Sequence, residues 1–262
     1  MSTAVLAPQI EIVKPGDREY RTVLVYGPTG AGKSWFSASA EAKLAGRTLV
    51  LMTEDADAGL EGFDVDVTHV RSADQMWAVL RALKTGAAPF DKYKGGVLVV
   101  DSLTQAQAFF IAEDAEVEHK KGNTKTSLMV PRDSYMRVGE NIRRMIWYAR
   151  TLPMHQIYVC LDRLFTDQDG VIQMKGPDLT PALSGDVRAY CDVVAYMTAD
   201  KLDVKDKEGK TERRLVRRLF LQPGDGFHAR VRAGKGAQIP EFVVSPTIER
   251  LLKTLAAKGE EK

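Results

Sequence analysis

Residues 22–27, TVLVYG, form a short β-branched apolar run that halts at a glycine. That glycine opens the octapeptide Gly27, Pro28, Thr29, Gly30, Ala31, Gly32, Lys33, Ser34, which satisfies every fixed position of GxxxxGK[ST]. Beyond it, residues 33–45 are rich in Ala, Ser, Glu and Lys, contain no Gly or Pro, and meet Gly46. Strand, glycine-rich turn and helix in that order make the pattern a phosphate-binding loop. The glycines let the backbone wrap closely, so that successive N–H groups point at one anion. The positive end of the following helix dipole adds to the attraction. Such a loop must sit at the C-terminal end of a parallel strand, which commits the chain to an α/β sheet with helices on its faces.

The residues downstream agree. Apolar runs at 47–55, 65–70, 95–104 and 155–162 read as strands, and helical periodicity falls at 73–85, 104–118 and 134–152. After residue 162 the grammar changes to short β-type segments separated by turns: LFTDQDGVIQMK, RAYCDVVAYMTA, RRLVRRLFLQP, FHARVR and EFVV, before a last helix at 247–258. The expected fold is a mixed, mostly parallel sheet flanked by helices, with an antiparallel β extension toward the C-terminus. Residues 1–20, with Pro8, Pro15 and Gly16, read as a lead-in, 21–246 as the core, and 247–262 as a C-terminal helix and tail.

Composition excludes several classes. With 262 residues, 44% hydrophobic, the chain can bury a core without a metal or disulfide staple. Its two cysteines, Cys160 and Cys191, stand in apolar stretches without a CxxC or a nearby His, as buried thiols do. No stretch is long and apolar enough for a membrane span, and residues 1–17 lack the pattern of a signal peptide, so the cytoplasm is the expected compartment. A net charge of +2 says nothing about nucleic acid. Its distribution says more, because eleven Lys/Arg face five Asp/Glu between Lys201 and Lys235.

A phosphate loop needs further groups. Lys33 would reach the β- and γ-oxygens of ATP, and the Ser34 hydroxyl would bind Mg²⁺. Asp101, which ends the apolar run VLVV, supplies the carboxylate for the Mg²⁺ shell. Hydrolysis also requires a group that takes a proton from water. Glu54 is the candidate base and Asp55 the alternate, both at the end of the second strand in LVLMTEDADAG.

The order of phosphate loop, helix, strand ending in MTED and apolar strand ending in VVDS resembles RecA-type ATPases. GPTGAGKS, VVDSLT and GPDLTPALSGDVRAYCDVVAYM together resemble the RecA-like phage nucleotide-binding proteins, including single-strand annealing proteins of the Sak type, over about residues 20–245. That resemblance implies a minimal RecA-like ATPase core that forms a homo-oligomeric ring or filament. It implies single-stranded DNA as partner, with a single-strand-binding protein as a further candidate. It puts Asp162 where the family carries a γ-phosphate sensor. It implies two mobile DNA-facing loops, residues 119–133 with Lys120, Lys121, Lys125 and Arg132, and residues 176–188 with Arg188 and the adjoining Lys175. Their edges carry the aromatic residues Tyr135 and Tyr190. It also makes Arg230 and Arg232, which share one face of a strand, the pair that reaches a neighbour's nucleotide.

Two other functions begin the same way. A nucleotide-gated assembly module would bind ATP with negligible hydrolysis. A small-molecule kinase would need an arginine-rich lid among the parallel units, whereas the basic residues here cluster in the late β segments.

Overall fold

The protein is described from a computed structural model covering residues 19–39, 46–54, 57–166, 169, 172–205, 211–235 and 237–256. In chain order the parallel part comprises β1 (Thr22–Gly27), α1 (Lys33–Ala38), β2 (Thr48–Met52), β3 (Asp66–His69), α2 (Ala73–Thr85), β4 (Val97–Asp101), α3 (Leu103–Lys120) and α4 (Arg132–Ala149). There follow β5 (His155–Thr166), β6 (Ile172–Pro177), α5 (Pro181–Tyr190), β7 (Val193–Lys205), β8 (Thr211–Phe220), β9 (Arg230–Val231), β10 (Phe242–Val244) and α6 (Ile248–Ala256).

Among the described residues the main sheet runs β10-β8-β7-β1-β5-β4-β2-β3, with β6 paired to β5 and β9 to β7. From β7 across to β3 every neighbour is parallel, and β8 and β10 continue it antiparallel. The phosphate-loop strand therefore lies centrally, between β5 and β7.

Side-chain alternation builds two cores. Leu24, Tyr26, Leu49, Leu51, Leu98 and Val100 face one side, where α2, α3, α4 and α5 cover them. Val23, Val25, Val50, Met52, Val97 and Val99 face the other, against Phe36 of α1 and Ile248 and Leu251 of α6. Apolar residues must cover both faces of a parallel sheet, which is why these strands read as unbroken runs. Each fully buried Leu or Val contributes about 1.5–3 kcal/mol. At the strands' N-terminal edge, Asp192 ties β1 to β7: its Oδ2 accepts from Thr22 N at 2.9 Å, and its own N–H donates to the Thr22 carbonyl at 2.8 Å.

The structure corrects several expectations. Residues 176–188 are not a mobile loop. They finish β6 and form α5, with Pro181 in the first turn and Leu183, Ser184 and Val187 buried. A proline fixes φ near its helical value without losing a needed N–H, so it starts this helix. RAYCDVVAYMTA is accordingly helical as far as Tyr190 and extended only from Val193. FHARVR gives only a two-residue strand. β5 continues past Asp162 to Thr166, exchanging parallel partners for antiparallel β6 at Asp162. Of the loop expected over 119–133, only residues 121–131 connect α3 to α4; Lys120 closes α3 and Arg132 opens α4. The lead-in, Asp55, residues 40–45 of the helix expected over 33–45 and the C-terminal tail lie wholly or largely outside the described residues.

Candidate nucleotide site

Gly27 ends β1 so close to β7 that a Cβ there would overlap the Met197 carbonyl. Gly30 and Gly32 take φ of 80° and 94°, values that side-chain-bearing residues rarely adopt. The loop then turns into α1, whose first bond runs from Phe36 N to Gly32 O at 2.9 Å. Lys33 is only 8% exposed. Its Nζ donates to the Gly27 and Pro28 carbonyls, each at 2.8 Å. Burial lowers the pKa of this ammonium, while the carboxylates of Asp101, Asp162 and Glu54 pull it back up.

The acidic groups meet the loop from the β2–β4 side. β4 pairs with β2 in a register that sets Asp101 opposite Met52. Thr53 locks the two strand ends together. Its N–H donates to Asp101 O at 2.8 Å, and its hydroxyl donates to Ser102 O at 2.7 Å while accepting from Ser102 N at 2.8 Å. The Ser102 hydroxyl caps α3 by accepting from Gln105 N at 3.2 Å and donates to Glu54 Oε1 at 2.7 Å. One capping serine thus carries Glu54 to the rim that holds Asp101.

Asp101 is 5% exposed, and its Oδ2 is buried without a hydrogen-bond partner. Burial raises its pKa and the Glu54 charge adds to that, against the Ser34 hydrogen bond and the Lys33 ammonium. An orphaned carboxylate oxygen beside a serine hydroxyl is the oxygen-donor chemistry that a divalent cation takes. The residues present therefore fit Mg²⁺ and a triphosphate.

Asp162 lies where β5 leaves the parallel sheet, and its charge acts on Lys33. It accepts from Tyr196 Oη at 3.2 Å. Tyr196 in turn accepts from Lys175 Nζ at 3.2 Å, and that ammonium lies 5.6 Å from the Tyr196 ring centroid. Lys175 is thus held on β6 by Tyr196, half-buried, rather than presented on a loop. The sequence singled out neither Tyr196 nor Ser102, and only the SLT that follows Asp101 hinted at the latter as a cap.

Arg230 and Arg232 do not reach the phosphate loop of their own chain. β9 pairs with Val193 and Val194, near the N-terminal end of β7 and away from Met197. The two guanidiniums donate to carbonyls at the end of α5: Arg230 to Arg188 O at 2.6 Å, Arg232 to Ala189 O at 2.6 Å. They shared a face as alternation requires, and that face meets the negative end of a helix. Arg188 turns its Nε back to Ser184 O at 3.1 Å.

Of the lysines expected to meet DNA, Lys120 pairs with Glu116 at 3.6 Å and Lys121 with Glu118 at 3.0 Å, whereas Lys125 is exposed without an ion pair among the described residues. Arg132 opens α4 and lines a groove of about 1120 Å³ between the starts of α4 and α5. Tyr135, Met136, Arg143, Arg144 and Leu183 line it too. Arg143 pairs with Asp186 at 2.6 Å, while Arg132 and Arg144 have no ion pair among the described residues.

Among the described residues no helix is long and apolar enough to cross a membrane, and no cluster of three or more His, Cys, Asp or Glu is arranged to hold a metal. No curated protein matches the chain. One matching solved structure, described as a prototypical ATPase from the type III secretion system of pathogenic bacteria, is 17% identical with a TM-score of 0.39. The match covers 76% of this chain and 65% of that one. Residues 19–233 match the sequence profile of a family described as an AAA domain. That span includes the phosphate loop, the acidic rim and the β7–β8 hairpin, and on it this chain belongs to the AAA domain family, the AAA-type P-loop ATPases.

Proposed function

We propose that the protein is an ATP- and Mg²⁺-dependent ATPase of the RecA-like phage type, which assembles into rings or filaments and acts on single-stranded DNA in recombination, repair or strand annealing. The observation that carries hydrolysis is the placement of Glu54, held by Ser102 on the rim where Asp101 keeps an unpaired oxygen beside Ser34. Ser34 and Asp101 would hold the ion, which when bound neutralises phosphate charge. Glu54 takes a proton from the attacking water as its oxygen bonds to the γ-phosphorus, and the bond to the ADP oxygen breaks. Lys33 exchanges the Gly27 and Pro28 carbonyls for phosphate oxygens, and Asp162 stands beside it as the sensor of the γ-phosphate.

Lys33→Ala tests this reading. ATP affinity is expected to fall roughly 10- to 150-fold, the range of a lost charge-assisted hydrogen bond, with turnover falling alongside. Titration of nucleotide and phosphate release measure both, and a variant that binds and hydrolyses like wild type overturns the reading.

The DNA half rests on the α4–α5 groove. Of the basic residues expected from the sequence, only Arg132 lines it; Arg144 on α4 adds a second guanidinium, and Tyr135, 45% exposed, adds a ring on which a base can stack. Removing both arginines in Arg132→Ala/Arg144→Ala is expected to flatten the log-affinity against log-salt slope for an oligonucleotide by about 1.4, as two single-strand phosphate contacts would. An unchanged slope removes DNA from the groove. Arg230 and Arg232 would reach a neighbouring subunit only by releasing the α5 carbonyls, and a single-strand-binding protein is a candidate partner of the assembly.

A further inference from the structure

β8 carries four arginines in TERRLVRRLF, and three of them have ordinary explanations or none that concerns the site. Arg214 pairs with Glu212 and Arg218 with Asp200, at 2.6 and 2.7 Å, while Arg213 is exposed. Arg217 differs. It pairs across the hairpin with Ala199, two residues beyond the Met197 that abuts Gly27, so it stands at the rim of the sheet that holds the phosphate loop. Its side chain lies on Gly32 so closely that a Cβ there would meet Nε at 2.5 Å and Cδ at 2.8 Å. Its guanidinium lies 6.0 Å from the Trp35 ring centroid, and Trp35 packs edge-on to Phe63 at 5.8 Å. The Arg217 carbonyl is pinned by Ser245 N at 2.9 Å. Its Nε is buried with no hydrogen-bond partner, as the Nε of Arg218 is too, but unlike Arg218 its guanidinium has no carboxylate partner among the described residues.

A desolvated guanidinium edge without an acceptor is costly, and it lies against Gly32 of a loop built to receive an anion. Gly32 therefore does two things: its left-handed φ makes the loop, and its missing Cβ admits Arg217. Sheet order decides which part of a nucleotide the arginine faces. Glu54 and Asp101 approach from β2 and β4, on one flank of β1, and define the hydrolysed γ end. Arg217 arrives from β8, beyond β7, on the opposite flank.

We infer that Arg217, backed by Trp35, is a nucleotide-binding residue supplied within the same chain, which contacts the α- and β-phosphates of a nucleoside di- or triphosphate. This rests on the nucleotide-binding reading above. An arginine at the non-hydrolysed end strengthens ATP and ADP alike and acts before the chemical step.

Arg217→Gln and Arg217→Lys, with wild type and Lys33→Ala alongside, test it by titration with Mg·ATP and with ADP, steady-state turnover and thermal melting. The glutamine variant is expected to weaken both nucleotides by similar factors, about 10- to 100-fold, with KM for ATP rising by the same factor and kcat changing several-fold less. The lysine variant should recover part of the affinity, because it keeps the charge and loses the fork. A variant that melts like wild type and binds both nucleotides as tightly overturns the inference. So does loss of kcat with ADP affinity intact, which would put Arg217 at the γ-phosphate. If wild type itself fails to bind ATP, the underlying reading falls and takes this one with it. Binding that depends on Lys33 but not on Arg217 sinks this one alone.

Discussion

Replacing Glu54 by glutamine is expected to lower ATP turnover roughly 10²- to 10⁴-fold, the range spanned by a lost general base, while ATP binding persists. The substitution is nearly isosteric, and the glutamine Oε1 can still accept from the Ser102 hydroxyl as the carboxylate does at 2.7 Å. The α3 cap and the β2–β4 lock then stay in place. What disappears is the ability to take a proton. The lost negative charge also relieves the repulsion that helps raise the Asp101 pKa, which favours the ionised form of that ligand. Phosphate release under saturating ATP and nucleotide titration measure the two quantities separately. A nucleotide-gated assembly module would show negligible turnover in both forms, and equal, substantial turnover in both would remove Glu54 from the chemistry. If ATP occupancy drives assembly, the glutamine variant should also accumulate the larger species, seen as a shift in solution mass on adding Mg·ATP.

Local features were readable in the sequence because local forces set them. β1 spans the Thr22–Gly27 expected from its apolar run and glycine stop, and α2 spans Ala73–Thr85, between the Ser72 cap and a left-handed Gly86. The acidic rim was readable because an aspartate or glutamate after an apolar run marks the C-terminal end of a parallel strand, and the strand order then brings those ends together. Features set by distant parts of the chain were not. The helical character of residues 181–190 depends on burying Leu183 and Val187 against the sheet, and the glycine at 185 disguised it. Lys175 looked like a surface lysine until β6 brought it to Tyr196. Arg230 and Arg232 were placed on one face correctly, but the acceptors they meet sit on a helix some forty residues earlier. Arg217 could not be told from its three neighbours in β8, because only the hairpin's approach to Gly32 separates them.

Asparagine at position 101 should move stability and activity in opposite directions. Asp101 is held 5% exposed with one carboxylate oxygen unpaired. Its pKa is raised, chiefly by burial. The folded state therefore holds the proton more tightly than the unfolded chain does. That contribution is fully present below the ordinary carboxylate pKa, about 3.9, and is lost as pH rises through the folded value. At neutral pH the buried charge is a net cost, which Asp101→Asn removes while keeping an oxygen to accept from Ser34. The amide still leaves a buried polar edge, so the expected gain is about 1 kcal/mol, or roughly 2–4 °C in Tm for a chain of this size. The gain should shrink as the pH of the melt is lowered, because wild-type Asp101 takes up its own proton above the ordinary carboxylate range. Mg²⁺-dependent turnover is expected to fall roughly 10²- to 10³-fold, since a neutral amide is a poor ligand for a hard cation and charge stabilisation in a water-poor site is lost. Mg·ATP should raise the wild-type Tm by mass action and raise the variant's far less. A variant that melts below wild type without Mg²⁺ at neutral pH, yet turns over normally, would make Asp101 a structural carboxylate and leave Ser34 without its partner for the ion.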